Sequence, residues 1–278
     1  MTGKFHRNGI YGGWTHAGPN RVFVRVPTSL KHRSENGASP MNGNGAGPEL
    51  DETPIVLVHG LSSGRTLKPL IRALGRRPVF APDLPGFGMS DTPIRPLGVS
   101  ELADALRHWM IDNDLAPAHL VGISFGCQVA VDLAARHPAA VERLVLVGPA
   151  FDPRGRSASR FAFRWVRNTP HSSPRLAPAV VHQVIDAGPW RSMRTFRHAL
   201  SYPIEERLGE IEAPTLVVRP ERDRLVPAEW TAEVVDLIPD AELVTLPKTA
   251  HTIRSKHATR LSALLAPFLA EVEEPALD

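Results

Sequence analysis

The chain has little cysteine. Only Cys127 occurs in 278 residues, which excludes an internal disulfide and any metal site built from several thiolates. A strong charge of either sign is also missing. The formal net charge of +3 is too small to mark a nucleic-acid partner by itself. No apolar run approaches the roughly 18 residues of a membrane span. Residues 1–18 hold no apolar core of signal-peptide length. These absences set the expectation of a cytoplasmic protein with no membrane and no nucleic-acid partner. What the chain does have is a 42% hydrophobic content. That is enough to bury the core of one large α/β domain, or of a domain with an insertion.

The most informative stretch is Gly122-Ile123-Ser124-Phe125-Gly126-Cys127. The apolar run at 118–121 before it is too short for a helix and suits a buried strand. After it, Val129, Ala130, Leu133 and Ala134 recur at helical spacing. A serine at a strand-to-helix corner sits in a tight, strained turn, and the flanking glycines avoid collisions with neighbouring backbone. Such a turn exposes the Ser124 hydroxyl and aims a helix N-terminus at it, which favours developing negative charge. Five residues alone also fit a small-residue turn that merely packs. The strand before and the helix after select the nucleophile. Cys127 then reads as a small packed side chain of that helix.

The rest of the chain alternates strands and helices. Val22, Val24 and Val26 alternate with Arg21, Phe23 and Arg25, the pattern of a half-exposed strand pairing with 10–15. Residues 28–52 are rich in Gly, Asn, Ser and Pro and read as a long flexible loop. Strands follow at 54–58 and 78–81, with a helix over 65–74 between them. Ser100 is placed to cap a helix over 101–114. After the strand at 141–147 the rhythm stops. Residues 151–210 contain no convincing strand but carry aromatics and many arginines. The rhythm then resumes with strands at 215–219 and 241–246 and helices at 228–238 and 255–269. This order predicts an α/β fold with a mostly parallel sheet and helices on both faces. Residues 1–150 and 211–278 form its core, and 151–210 form a helical cap inserted after the sixth strand. Sites in such sheets lie beyond the C-terminal strand ends.

A serine hydroxyl needs a base to take its proton, and the base needs a carboxylate to orient it. His251, just after the last strand, is the candidate base. His108, His119 and His137 fall at helix or strand boundaries and read as solvated, and His59 as structural. Asp223, in the loop after the preceding strand, is the candidate acid, with Glu221 and Asp152 as rivals. The order Ser, Asp, His suits this topology. The backbone N–H groups of Phe125 and Leu61 are the candidate oxyanion donors. Losing one such donor costs on the order of 3 kcal/mol of transition-state stabilisation.

With these residues in place the chain resembles the α/β-hydrolase superfamily, in its lid-bearing branch. The carrying residues are His59-Gly60, Asp83-Leu84-Pro85-Gly86-Phe87-Gly88-Met89-Ser90, the Ser124 corner, the Asp223 loop and His251. The resemblance implies an eight-stranded, mostly parallel sheet with a helical cap, and hydrolysis through an acyl-enzyme with no cofactor and no metal. There are departures. Many relatives carry Gly-x-x-Asp where this chain has Pro220-Glu221-Arg222-Asp223. Many carry Ser-Met-Gly-Gly where it has Ser124-Phe125-Gly126-Cys127. A serine nucleophile argues against the dehalogenase and epoxide hydrolase branches, which use a carboxylate. Thr252 stands where ring-cleavage carbon–carbon hydrolases commonly have tryptophan.

Residues 151–210 hold ten arginines and five acidic residues, a local charge of +5 that leaves about −2 for the remainder. Two readings stay open: a solvated helical face, or attraction of an anionic partner. The function expected is hydrolysis of a carboxylic ester or thioester, an anionic one under the second of these readings. The alternatives are hydrolysis of a carbon–carbon bond in a diketone-like substrate, and a non-catalytic small-molecule receptor.

Overall fold

The computed structural model of the chain describes residues 5–7, 9–33, 52–75, 77–168, 189–253 and 255–270. Alternating and continuous apolar runs both become strands. β1 (Phe5–Arg7), β2 (Ile10–Ala17) and β3 (Asn20–Pro27) form an antiparallel ribbon. β4 (Ile55–Val58), β5 (Val79–Pro82), β6 (Ala118–Ile123), β7 (Val141–Val147), β8 (Thr215–Pro220) and β9 (Ala241–Leu246) pair in parallel. The spatial order is β1-β2-β3-β5-β4-β6-β7-β8-β9, with β3 antiparallel to β5. The mostly parallel eight-stranded sheet is thus present, and the three-residue β1 extends its antiparallel edge.

Helices cover both faces: α1 (Thr28–Arg33), α2 (Lys68–Ala73), α3 (Val99–Asp112), α4 (Phe125–Arg136), α5 (Ala158–Asn168), α6 (Pro189–Ser201), α7 (Glu205–Leu208), α8 (Ala228–Leu237) and α9 (Ser255–Phe268). The period of 2 in the strands divides their side chains between two core layers. Val56, Val58, Leu144 and Leu146 join Leu102, Trp109 and Val129 on one side. Ile55, Leu57, Val145 and Val147 join Leu70, Ile71, Leu261 and Leu265 on the other. Burial on both faces explains why these strands are continuously apolar. None of the described helices is long and apolar enough to cross a membrane.

From β4 the chain passes to β5 on one side, then crosses to β6 on the other side of β4. The C-terminal ends of β4 and β6 therefore flank a point where the strand order reverses, the usual place for a site in an open α/β sheet.

Several expectations need correction. The strand at 20–27 is not half exposed: Phe23 is 3% and Arg25 5% exposed. Periodicity reports which way a side chain points and not what covers it. Here the loop after β5 covers that face, and Arg25 pairs with Asp83 at 2.7 Å. The segment 28–52 opens with a helix, α1, whose Leu30 is buried; residues 34–51 lie outside the described residues. Ser100 does not cap α3, which starts earlier. Glu101 reaches back to the Gly98 N–H at 2.9 Å, and Ser100 donates to Asp132 at 2.9 Å. The helix over 65–74 is a 3₁₀ turn at Gly64–Leu67 followed by α2. His119 is buried in β6 rather than solvated. Between β7 and β8 the described residues hold a 3₁₀ turn (Pro153–Gly155), α5, α6 and α7 and no strand; residues 169–188 lie outside the description.

Candidate active site

The corner between β6 and α4 is built by close backbone approach. Ser124 has φ 56° and ψ −116°, a conformation that costs a non-glycine residue on the order of 1–3 kcal/mol. Its N–H donates to the Val147 carbonyl at 3.0 Å, which anchors the strained residue to β7. A Cβ on Gly126 would stand 2.3 Å from the Val58 carbonyl oxygen, and one on Gly122 would stand 2.8 Å from the Gly126 oxygen and the Cys127 Cα. Gly126 is required where the turn packs on the end of β4, and Gly122 where the first turn of α4 folds back over β6. Cys127 is buried, directs Sγ to the Gly122 carbonyl at 3.3 Å, and has its thiol pushed up by burial. It is an inert packing residue.

His251 arrives from the turn after β9. Its Nε2 lies 2.8 Å from Ser124 Oγ, and its Nδ1 lies 2.7 Å from Asp223 Oδ2. Asp223 follows β8. Its other oxygen accepts the N–H groups of Leu225 at 2.8 Å and Val226 at 3.1 Å, so the carboxylate is fully satisfied although its side chain has no exposure. A carboxylate facing Nδ1 fixes that proton and leaves Nε2 as an acceptor for the serine hydroxyl. The loops carrying Asp223 and His251 are tied by backbone bonds from Glu221 to Leu246 at 3.0 Å and from Arg222 to Thr249 at 2.8 Å.

Both rival carboxylates are engaged elsewhere. Glu221 is exposed and accepts the Lys248 N–H, clipping the two loops together. Asp152 is buried, accepts the Arg154 N–H at 2.7 Å, and pairs with Arg164. The corner at His59-Gly60-Leu61 abuts the nucleophile, since a Cβ on Gly60 would stand 3.4 Å from Ser124 Cβ. Phe125 is the first residue of α4, so intrahelical bonding leaves its N–H unused.

Three features escaped sequence reasoning. The first is the buried lock that holds the loop after β4 at Gly64. Asp83 receives both Arg25 guanidinium nitrogens at 2.7 and 3.1 Å, the Gly64 N–H at 2.6 Å and the Met89 N–H at 2.9 Å. The recurring Asp-Leu-Pro-Gly pattern pointed to this loop but not to its partner in β3. The second is a run of rings. Phe87, Phe125 and Phe151 follow one another at 6.2 and 6.4 Å, and Phe151 stacks on Phe161 of α5 at 5.0 Å. Phe161 in turn meets Phe196 of α6 at 5.0 Å. The third is polar docking on α4, where Gln128 donates to the Ala199 carbonyl at 2.9 Å and Tyr202 donates to Asp132 at 2.6 Å. No spacing within one segment encodes such contacts. Among the described residues, no group of three or more His, Cys, Asp or Glu side chains is arranged to hold a metal ion.

Residues 55–263 match the family model described as "Alpha/beta hydrolase family". The chain is 29% identical over 262 residues to a 2-hydroxymuconate semialdehyde hydrolase of Pseudomonas sp. (strain CF600), covering 81% of this chain and 89% of that protein. It is 28% identical over 258 residues to a pyrrolizixenacetamide deacetylase of Xenorhabdus hominickii, covering 84% and 94%. Among solved structures, a thermophilic esterase from Thermogutta terrifontis superposes with a TM-score of 0.67 at 20% identity, covering 92% of this chain and 96% of that one.

Proposed function

The chain belongs to the alpha/beta hydrolase family, and from that premise we propose that it is a serine hydrolase of carboxylic esters or thioesters. The observation carrying this reading is the hydrogen-bonded series Asp223–His251–Ser124, at 2.7 and 2.8 Å, ending on a serine in a strained turn. In this mechanism Ser124 Oγ attacks the substrate carbonyl while His251 Nε2 takes its proton. The Phe125 and Leu61 N–H groups receive the negative charge that develops on the carbonyl oxygen. His251 then protonates the leaving group, giving an acyl-Ser124. Water, deprotonated by His251, attacks the acyl carbon. Collapse of the second tetrahedral intermediate releases the acid and restores the serine hydroxyl. Asp223 holds the imidazole tautomer and stabilises the imidazolium without itself taking the proton. The inserted segment acts as a cap over this site, and its described residues dock on α4 through the phenylalanine run and through Gln128 and Asp132.

A second reading, hydrolysis of a carbon–carbon bond in a diketone-like substrate, is supported by the named activity of the Pseudomonas relative at 29% identity. It uses the same three residues. One assay separates the readings: wild type and Ser124→Ala against a panel of p-nitrophenyl esters, acyl thioesters and vinylogous diketones. Ester or thioester turnover that vanishes in the variant is the expected result. Turnover of the diketones alone transfers the site to the second reading. Undiminished ester turnover in Ser124→Ala removes the serine from the mechanism.

A further inference from the structure

A cleft of about 320 Å³ opens between α5 and the loop that follows β8. Four guanidiniums border it, those of Arg160, Arg164 and Arg167 on α5 and that of Arg224 on the loop. Spacings of four and three residues place the α5 arginines along one helix face. The lining between the arginines is apolar, from Phe163, Val226 and Pro227.

Arg164 is paired with Asp152, and the charge that the described lining of the cleft leaves without a carboxylate is that of Arg160 and Arg167. Among the described residues, Asp223 is the acidic residue that lines it. That carboxylate turns inward, to His251 and to the Leu225 and Val226 N–H groups, and its side chain is fully covered. The arginines are also oriented in advance. Asp152 holds Arg164, Arg160 donates to the Arg154 carbonyl at 2.5 Å, and the Arg167 guanidinium lies 5.6 Å over the Phe163 ring. Preorganised planar forks bind carboxylate and phosphate oxygens in pairs, with less entropy lost on binding. Neither Ser124 nor His251 lines the cleft, so an occupant does not compete directly for the nucleophile.

We infer that this cleft is a second small-molecule site, for an amphiphilic anion whose carboxylate or phosphate head pairs with the arginines while its apolar body lies on Phe163, Val226 and Pro227. An occupant bridges α5, in the inserted segment, and the loop that carries Asp223, so it draws the insertion onto the core beside the catalytic carboxylate. The inference goes beyond the proposed reaction and does not need it to be correct.

The test is calorimetric titration of the full chain with octanoate, octyl phosphate and neutral octanamide. Saturable one-to-one binding of at least one of the two anions is expected, with none for octanamide. Tighter binding of octyl phosphate assigns a phosphate monoester as the ligand class, and tighter binding of octanoate assigns a carboxylate. Arg160→Gln/Arg167→Gln, at exposed positions that tolerate substitution, weakens the bound anion at least tenfold. Arg224→Gln does so from the opposite wall. Arg197→Gln, an exposed arginine of α6, leaves Kd within twofold. Absence of saturable binding by both anions overturns the inference. So does binding of octanamide as tight as that of the anions, retention of wild-type Kd in the Arg160/Arg167 and Arg224 variants, or an equal loss in Arg197→Gln.

Discussion

Two corners at the C-terminal edge of the sheet each place a histidine near a fully buried aspartate, and only one can move a proton. After β4, His59 has Nδ1 2.6 Å from the Gly60 carbonyl, and its Nε2 accepts the Leu84 N–H at 3.0 Å. Because Nε2 accepts, Nδ1 carries the proton, and both nitrogens are spent on backbone. Burial lowers the affinity of this imidazole for a second proton. The aspartate of that corner, Asp83, faces Arg25, a cation that does not give up its proton. After β9, His251 instead stands between Asp223 and the Ser124 hydroxyl, with a tenth of its side chain exposed. Burial and hydrogen-bond satisfaction are nearly matched in the two corners. The partners differ, and that turns one corner into a brace and the other into a candidate relay.

The sharpest way to break this contrast is to remove the group that accepts charge and chemistry at the second corner. Ser124→Ala is expected to lower kcat for an ester substrate on the order of a million-fold, about 8 kcal/mol, with urea unfolding unchanged within about 1 kcal/mol. Asp223→Asn keeps the geometry but frees the wrong tautomer, and should cost about 10⁴ in kcat, read by steady-state kinetics. The matching change at the first corner, Asp83→Asn, should instead appear as stability. It leaves the buried Arg25 without its carboxylate, at about 3–5 kcal/mol by chemical denaturation. A larger fall in kcat per folded molecule than in stability would erase the distinction between the corners.

Smaller effects sharpen the comparison. Tyr202→Phe removes a donor from the buried Asp132, which also receives Ser100 and Arg136. A loss of about 1.5 kcal/mol is expected, measured by thermal or urea unfolding. His59 gives a pH signature. Its folded-state affinity for a proton is lowered, so below about pH 6.5 the unfolded chain binds a proton that the folded chain refuses. Stability from this group therefore falls as pH drops from about 6.5, by up to about 1.4 kcal/mol per pH unit. Urea unfolding between pH 7 and 5 should show that slope, and His59→Asn should flatten it by one proton.

How much of this was legible in the sequence differs by element. The Ser124 corner was readable because its signal is local: glycines that avoid backbone collisions, a strand before and a helix after. Nearly every sheet strand was readable for the same reason, since continuous apolar runs leave few alternatives. The acid was harder. Glu221 and Asp223 are two residues apart on one loop, and only the turn that buries one and exposes the other separates them. Arg25 was misread because alternation in β3 gives direction without naming the loop that lands on it. The arginines of 151–210 were visible as an excess of charge, and Arg160, Arg164 and Arg167 as one stripe at helical spacing, but it was not visible that this stripe faces Arg224 across a cleft.

By itself, then, the sequence determined the order of strands and helices, the turn that holds the serine, and the position of a histidine after the last strand. These follow from backbone sterics and apolar periodicity, which act over a few residues. Tertiary structure decided which carboxylate meets that histidine, which arginine is buried beside Asp83, and how the inserted helices rest on α4. Those outcomes depend on desolvation and on partners 28 to 71 residues apart, and such pairings exist only once the sheet has brought its loops to one edge.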